Sequence, residues 1–530
     1  MQKHAPLLNL LLIAVAFNFN AAHAEIIPYD KPAEVGPAET YAFDGTNVDV
    51  DMSQYAGYAG LIVANGGLKG SESSYLYTKH KIKLNIVLKE ESDWSKVQSG
   101  KFALAATTAD VLAAYRNRLN TEVIGLIAYS RGADEVIAKK EVRSVRDLVG
   151  KTVLTGMFDE SEFFIRKLCD DNSLKVHVRN TLEDPQKSDA VNMLFSSSTD
   201  EVPEMFSTLL LDPKSGVAAC VGWLPFTADA VEKSKGEAYI MTTNKNQLFI
   251  ADVLIGNQGF CNQHPEAVKA IIDGMLYGNL QVKKMLATSK GNEEEWKLVC
   301  KELTTDPEDP YDQESLGEEM RLLEFSSARM NQEFLSNTTR VGAGFDDIFK
   351  TASRFYGAEV AGAEKNFQFI SPSTVECYTS SSYYEEAEKP VAAVGDSEKQ
   401  KLSEPTVKRD FKFRFALGVY DKFELERGTN EADFDILKQA IKERPGSIIK
   451  IVGHLDNSKV AENGPEFGQK YAANAKESSL QRADTIEKLL MSTLSVEANR
   501  IEAIGLGWEH PVSKIPAENA RVEVEIFVLE

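Results

Sequence analysis

The sequence predicts a layered α/β fold followed by a smaller α+β domain, and three observations predict it. Across residues 41–371, short β-branched runs alternate with helical patterns, the order that builds largely parallel strands covered by helices. From about residue 411 the order restarts. A helical stretch with Phe434, Leu437 and Ile441 on one face precedes the apolar run SIIKIVGHLD at 447–456, a second helix carries Arg482, RIEAIGLGWEHP fills 500–511, and Val522, Val524, Ile526 and Val528 alternate with Glu523 and Glu525. Between the two regions, residues 373–410 have the polar, charged composition of a flexible linker.

Taken in order, the chain opens with Lys3, an apolar run at 7–17 and Ala22-His23-Ala24 before Glu25. A basic end, a short apolar core and a small-residue site make residues 1–24 a secretory signal, because the run is too short to span a bilayer. The mature chain is therefore expected to be exported, and no later run is apolar enough to serve as a transmembrane span. Strands are expected at 60–64, 84–88, 102–106, 123–128, 153–155, 176–178, 216–221, 239–241 and 253–255. Helices follow from His264, with Pro265 in a first helical position and Val268, Ile271, Ile272, Met275 and Leu276 on one face.

Several functions are excluded at this level. The net charge of −21 argues against nucleic acid or anionic lipid as a partner. The five cysteines, Cys169, Cys220, Cys261, Cys300 and Cys377, are widely spaced and odd in number, which fits neither zinc nor redox motifs and leaves any disulfide unassigned. Asp44, Asn47, Asp49 and Asp51 crowd one stretch without the Gly and distal Glu of a calcium loop, so they read as a solvated acidic turn. Residues 306–312, DPEDPYD, read as an exposed connector. Ala128-Tyr129-Ser130-Arg131-Gly132 is one residue away from a nucleophile elbow, but 136–138 reads extended where an elbow needs a helix. No enzyme, metal or cofactor is expected.

In layered sheets, ligands bind beyond the carboxyl ends of strands, where loops open into helices. The loops at 65–74, with Gly66 and Gly67, at 107–110, at 155–161 and at 223–225 are the expected lining. SRGADEVIA at 130–138 with VRDLVGK at 145–151, GWLP at 222–225, ADVLI at 251–255 and HPE at 264–266 resemble periplasmic solute-binding proteins of the nitrate, taurine and alkanesulfonate type. The resemblance implies a two-lobed periplasmic-binding-protein fold, type II-like, over residues 25–372, hinged and closing on a small anionic or zwitterionic solute. Gly67, Ser71, Thr108, Ser130, Arg131, Ser161 and Trp223 are the candidate pocket residues. The competing expectation makes the hydroxyls helix caps and Trp223 core.

The pieces IVGHLD, SSLQRA, RIEAIGLGWEHP and ENARVEVEIF occur in order over residues 411–530 and resemble the OmpA-like peptidoglycan-binding domain. That resemblance implies an α+β fold in which Asp456 and Arg482 clasp the ammonium and carboxylate of diaminopimelate in the wall stem peptide. Leu455 stands where the family has Thr, Ser478 where it has Leu, Ala520 where it has Arg, and the connection at 457–477 is longer than usual. Together the resemblances imply a periplasmic, wall-associated receptor near the outer membrane, whose solute is passed to an ABC permease or another envelope protein. The alternative is a wall-anchored scaffold whose lobes dock a protein partner.

Overall fold

The computed structural model describes residues 25–528 apart from 90–94, 116–117, 211, 213, 289, 306–309, 358–368, 385–403, 416–422, 426–427 and 495. The expected signal segment, most of the expected linker and part of the 306–312 connector lie outside the described residues.

Apolar runs that can be buried on both faces form the central strands, as in β5 (Thr121–Ser130) and β12 (Ile250–Asn257), which are buried at every position. They join β2 (Asn47–Ser53), β3 (Lys83–Lys89), β4 (Leu104–Thr108) and β13 (Leu323–Phe325) in a six-stranded sheet of order β13-β5-β12-β4-β2-β3. A second, seven-stranded sheet holds β1 (Ile26–Ile27), β6 (Asp134–Lys139), β7 (Thr152–Thr155), β8 (Val176–Val178), β9 (Val191–Ser196), β10 (Val217–Trp223) and β11 (Ala238–Thr243). Its order is β1-β9-β7-β10-β6-β11, with β8 beside β9. These sheets are the cores of two lobes. Besides an N-terminal passage from β1 to β2, the chain has two short crossings between them, at 131–133 from β5 to β6 and at 244–249 from β11 to β12.

The crossings correct the expectation of largely parallel strands. β2 pairs parallel with β3 and β4, and β7 with β9 and β10. The strands entering or leaving a crossing, β5, β6, β11 and β12, pair antiparallel with their neighbours because the chain runs out of one lobe and back. A second correction concerns residues 60–64, which lie in the helix Ala59–Asn65. The strand lies upstream, in the stretch read as an acidic turn: Val48, Val50 and Met52 alternate inward between acidic neighbours, and buried Asp51 pairs with Lys89. That alternation is the period of a half-buried strand. The helix Pro265–Ala287 buries the predicted face.

The C-terminal sheet has the order β14 (Val407–Phe411), β17 (Val522–Phe527), β15 (Ile448–Gly453), β16 (Ile501–Gly505), covered by the helices Asn430–Lys442 and Ala472–Leu494 around a separate core. Within the expected linker, Pro372–Thr379 is helical and packs on the first lobe: Thr374 donates to Glu122 at 2.5 Å, and buried Tyr378 donates to the Ile124 carbonyl at 2.9 Å. β14 occupies the linker's other end.

The C-terminal domain is seated against the second crossing. Fully buried Arg444 donates to Gln247 at 3.1 Å and pairs with Asp171, while Lys167 bridges Asp171 and Glu443, each at 2.7 Å. Leu248 N–H donates to the Glu443 carbonyl at 2.7 Å and Gly342 N–H to the Lys442 carbonyl at 2.8 Å. One seam thus touches both lobes and the crossing between them. All five cysteines are free, and among the described residues no helix is long and apolar enough to cross a membrane.

Candidate functional site

The crevice between the lobes is built where strands end. Asp252, within β12, lies opposite Thr108 at the end of β4, so both side chains share one face of the first lobe's sheet. Asp110 follows two residues later and accepts a hydrogen bond from Tyr356 at 3.2 Å. From the second lobe, Asp134 opens β6 and accepts from Ser130 at 2.5 Å and from Asn244 at 2.6 Å, one residue from each crossing. Asp159 caps the helix Glu160–Asp171, accepting from Glu162 N–H at 3.0 Å. Asp159 and Glu160 are enclosed by protein yet keep an accessible face, which puts them on a crevice rather than in packed core. Tyr55 and Tyr58, 5.4 Å apart edge to face on the turn after β2, face the same carboxylates.

These acids are held far from their ordinary behaviour. Burial pushes Asp110 up to about 7, a shift the Thr108 and Tyr356 hydroxyls offset only in part. Burial, then the charges of Asp159 and Glu135, takes Asp134 to about 6. Burial also takes Asp159 to about 6. Glu160 and Asp252 are raised well above the carboxylate range by burial and then by neighbouring carboxylates. Among the described residues none of these five acids pairs with a Lys or Arg, whereas nearby Glu162 is neutralised by Arg166 at 2.7 Å. On one flank an aromatic contact between the lobes closes the gap: Phe158, packed on Tyr29 within the second lobe, meets Tyr356 at 5.5 Å. Arg354 clasps Asp170 across it at 2.8 and 3.0 Å.

Of the expected pocket residues, the structure brings four to this crevice. Thr108 and Ser161 are buried, Ser130 bonds Asp134, and Trp223 pairs with Asp134 in the β10–β6 register. The other three lie elsewhere. Gly67 faces Glu302 behind the helix Ala59–Asn65, and Ser71 contacts Ser73 on a surface turn. The expected strand-to-helix loop at 65–74 is a helix-to-helix turn. Arg131 leaves the crossing outward, paired to Glu324 at 2.8 Å with both side chains about a third exposed. The acids and Tyr55 were legible only as polar residues set at the ends of apolar runs.

At the C-terminal end of β15, Asp456 is exposed and accepts from Ser458 N–H at 2.6 Å, and Arg482 donates to the His454 carbonyl at 3.1 Å while lying over Phe415. Arg482 sits well inside its helix rather than early in it, because the helix begins at Ala472. Its closeness to the strand has a local cause. Gly453 and Gly505 are register partners on β15 and β16, and a Cβ on either would run into the backbone of that helix. His454 is buried, and burial with the Arg521 charge lowers its pKa to about 4, keeping the ring neutral. The long connection folds as two short helices, Ser458–Asn463 and Pro465–Lys470, with Phe467 6.3 Å from Trp508.

Residues 420–524 match the OmpA family. No curated protein matches the chain. Similar solved structures include the periplasmic aliphatic sulphonate binding protein SsuA from Escherichia coli, at 12% identity over 59% of this chain and 92% of that one with a TM-score of 0.39. The periplasmic nitrate-binding protein NrtA from Synechocystis PCC 6803 has 10% identity over 63% and 86%, TM-score 0.38. The Candida albicans CA3427 gene product, described as having the generic periplasmic binding protein fold, has 13% identity over 63% and 94%, TM-score 0.42. The strand order of this chain, two mixed sheets linked by two short crossings and an N-terminal passage, gives a two-lobed α/β domain of the periplasmic-binding-protein type, followed by a domain whose residues 420–524 match the OmpA family.

Proposed function

We propose that the chain is an exported, non-enzymatic receptor of the cell envelope, whose lobes capture a small solute and whose C-terminal domain holds peptidoglycan. One observation carries the receptor reading. Buried oxygens from both lobes, Asp252 Oδ2 and Ser161 Oγ, lie at the crevice without a hydrogen-bond partner. A buried polar group left unsatisfied costs about 1–3 kcal/mol, and a bound solute with suitable donors offsets that cost. Hinge motion at the two crossings would admit it, and the solute would stabilise the closed form by its differential affinity. Of the two solute classes the resemblance implies, the carboxylate lining supports a zwitterion over a simple anion.

In the wall domain, Asp456 and Arg482 flank the 454–456 turn and are the groups that would take the two charged ends of diaminopimelate. The periplasm is the compartment that fits a signal segment, a receptor and a wall-binding domain. An outer-membrane neighbour and an ABC permease that receives the solute complete the proposal. Thermal melting of the full chain against amino acids, amines, sulfonates and nitrate tests the receptor, since a ligand of the folded state alone raises the melting temperature. A shift with one class is expected, and no shift with any class overturns it. Asp456→Ala and Arg482→Ala should each abolish co-sedimentation with diaminopimelate-type sacculi at unchanged melting temperature, and undiminished sedimentation removes the clasp.

A further inference from the structure

Resting on the receptor reading, we infer that the interlobe crevice is selective for a small solute bearing a protonated amine and no net negative charge. The crevice gathers Asp110, Asp134, Asp159, Glu160 and Asp252, and among the described residues none is matched by a Lys or Arg. An acidic cluster alone would not identify a ligand. Independent of it, Ser161 is fully buried and its hydroxyl has no partner. Thr108 is the register partner of Asp252 and shares its face of the sheet, while Ser161 lies on the first helical turn beside Glu160. Both lie beside carboxyls of the crevice and carry hydroxyls that can accept as well as donate.

The place an anion would use is already taken. The N-terminus of the helix Glu160–Asp171 offers backbone N–H groups and the positive end of a dipole, but Asp159 caps it from within the chain. A nitrate or sulfonate brought there would meet the carboxyls of Asp159 and Glu160. A protonated amine has the opposite fit, because each N–H can be donated to a carboxylate or a hydroxyl in a low-dielectric site where charge-assisted bonds are strong. Tyr55 and Tyr58 add π faces suited to a cation. A bare metal ion fits less well, since no group of three or more His, Cys, Asp or Glu side chains is placed to hold one among the described residues.

The test is isothermal titration and thermal melting of the full chain with putrescine and spermidine, in parallel with nitrate, ethanesulfonate and magnesium. Putrescine or spermidine should bind and raise the melting temperature. Asp252→Asn and Asp134→Asn, which nearly preserve shape, should each weaken binding at least tenfold, and Glu318→Gln, which makes the same charge change on the surface, should leave it unaltered. If nitrate or ethanesulfonate binds and the amines do not, the receptor reading stands and the amine specificity falls. If no probe binds, both fall. Amine binding that survives both crevice substitutions, or that magnesium reproduces at equal concentration, places the effect on the acidic surface and overturns the inference.

Discussion

Two buried acidic regions of this protein behave in opposite ways. At the seam, Asp171 is enclosed, yet its carboxyl is held below the ordinary range: burial pushes it up, and Lys167 and Arg444 together more than reverse this. In the crevice, Asp110 is just as enclosed and stands near 7: burial raises it, the charge of Asp159 adds to that, and hydrogen bonds from its backbone and from the Thr108 and Tyr356 hydroxyls offset only part of the rise. The residue type and burial match; the partner differs. A buried charge with its partner in the same chain completes a structural contact, and one without a partner leaves a demand that a proton or a ligand must meet.

The comparison breaks first at Arg444. Arg444→Met should lower stability by about 3 kcal/mol in urea unfolding, the cost of breaking a buried charge network and leaving Asp171 and Glu443 to share Lys167. A loss below about 1 kcal/mol would show that the seam is not formed in solution. In the crevice the sign should invert. Asp110→Asn should raise stability at pH 8 by about 2 kcal/mol, since each tenfold change in proton affinity is worth about 1.4 kcal/mol and the lost Tyr356 contact subtracts from the gain. A destabilised variant would mean that Asp110 is paired after all.

The pH profile sharpens the contrast. Asp110 faces Thr108, Tyr356 and Asp159; Asp134 faces Ser130, Asn244, Asp159 and Glu135; Asp159 faces Thr199 and Glu162. Their folded pKa values, about 7, 6 and 6, lie above the unfolded ones near 4. Their stabilisation is therefore fully present below about pH 4 and is lost as pH rises through 6 and 7. Asp171 is depressed, so its contribution is present above about pH 4 and is lost as pH falls below that. Melting temperature without ligand should peak near pH 5 and decline toward pH 8, and an amine should flatten that decline. A profile rising from pH 5 to 8 would contradict the crevice chemistry. The smallest effect belongs to Arg131→Ala. It removes a half-exposed pair with Glu324, costs at most about 1 kcal/mol, and should leave solute binding unaltered. A tenfold loss of binding would return Arg131 to the pocket.

The sequence by itself determined most elements and the order of the domains. Apolar β-branched runs such as 123–128 and 153–155 are buried as strands, and the face of Val268, Ile271 and Met275 is buried as a helix. Local pattern misread 47–53, where acidic residues masked a period-two alternation, and 60–64, where small apolar residues suit either state. The C-terminal motifs located Asp456 and Arg482, because glycines at paired strand ends constrain the chain locally. Only the tertiary structure decided which polar residues meet. Asp110, Asp134, Asp159 and Asp252 are separated by many residues and converge because two crossings fold the lobes onto each other. Arg444 finds Asp171 only when a separate domain docks on the hinge. A carboxylate's charge state depends on what lies within a few ångströms of it, and sequence separation carries no such distance.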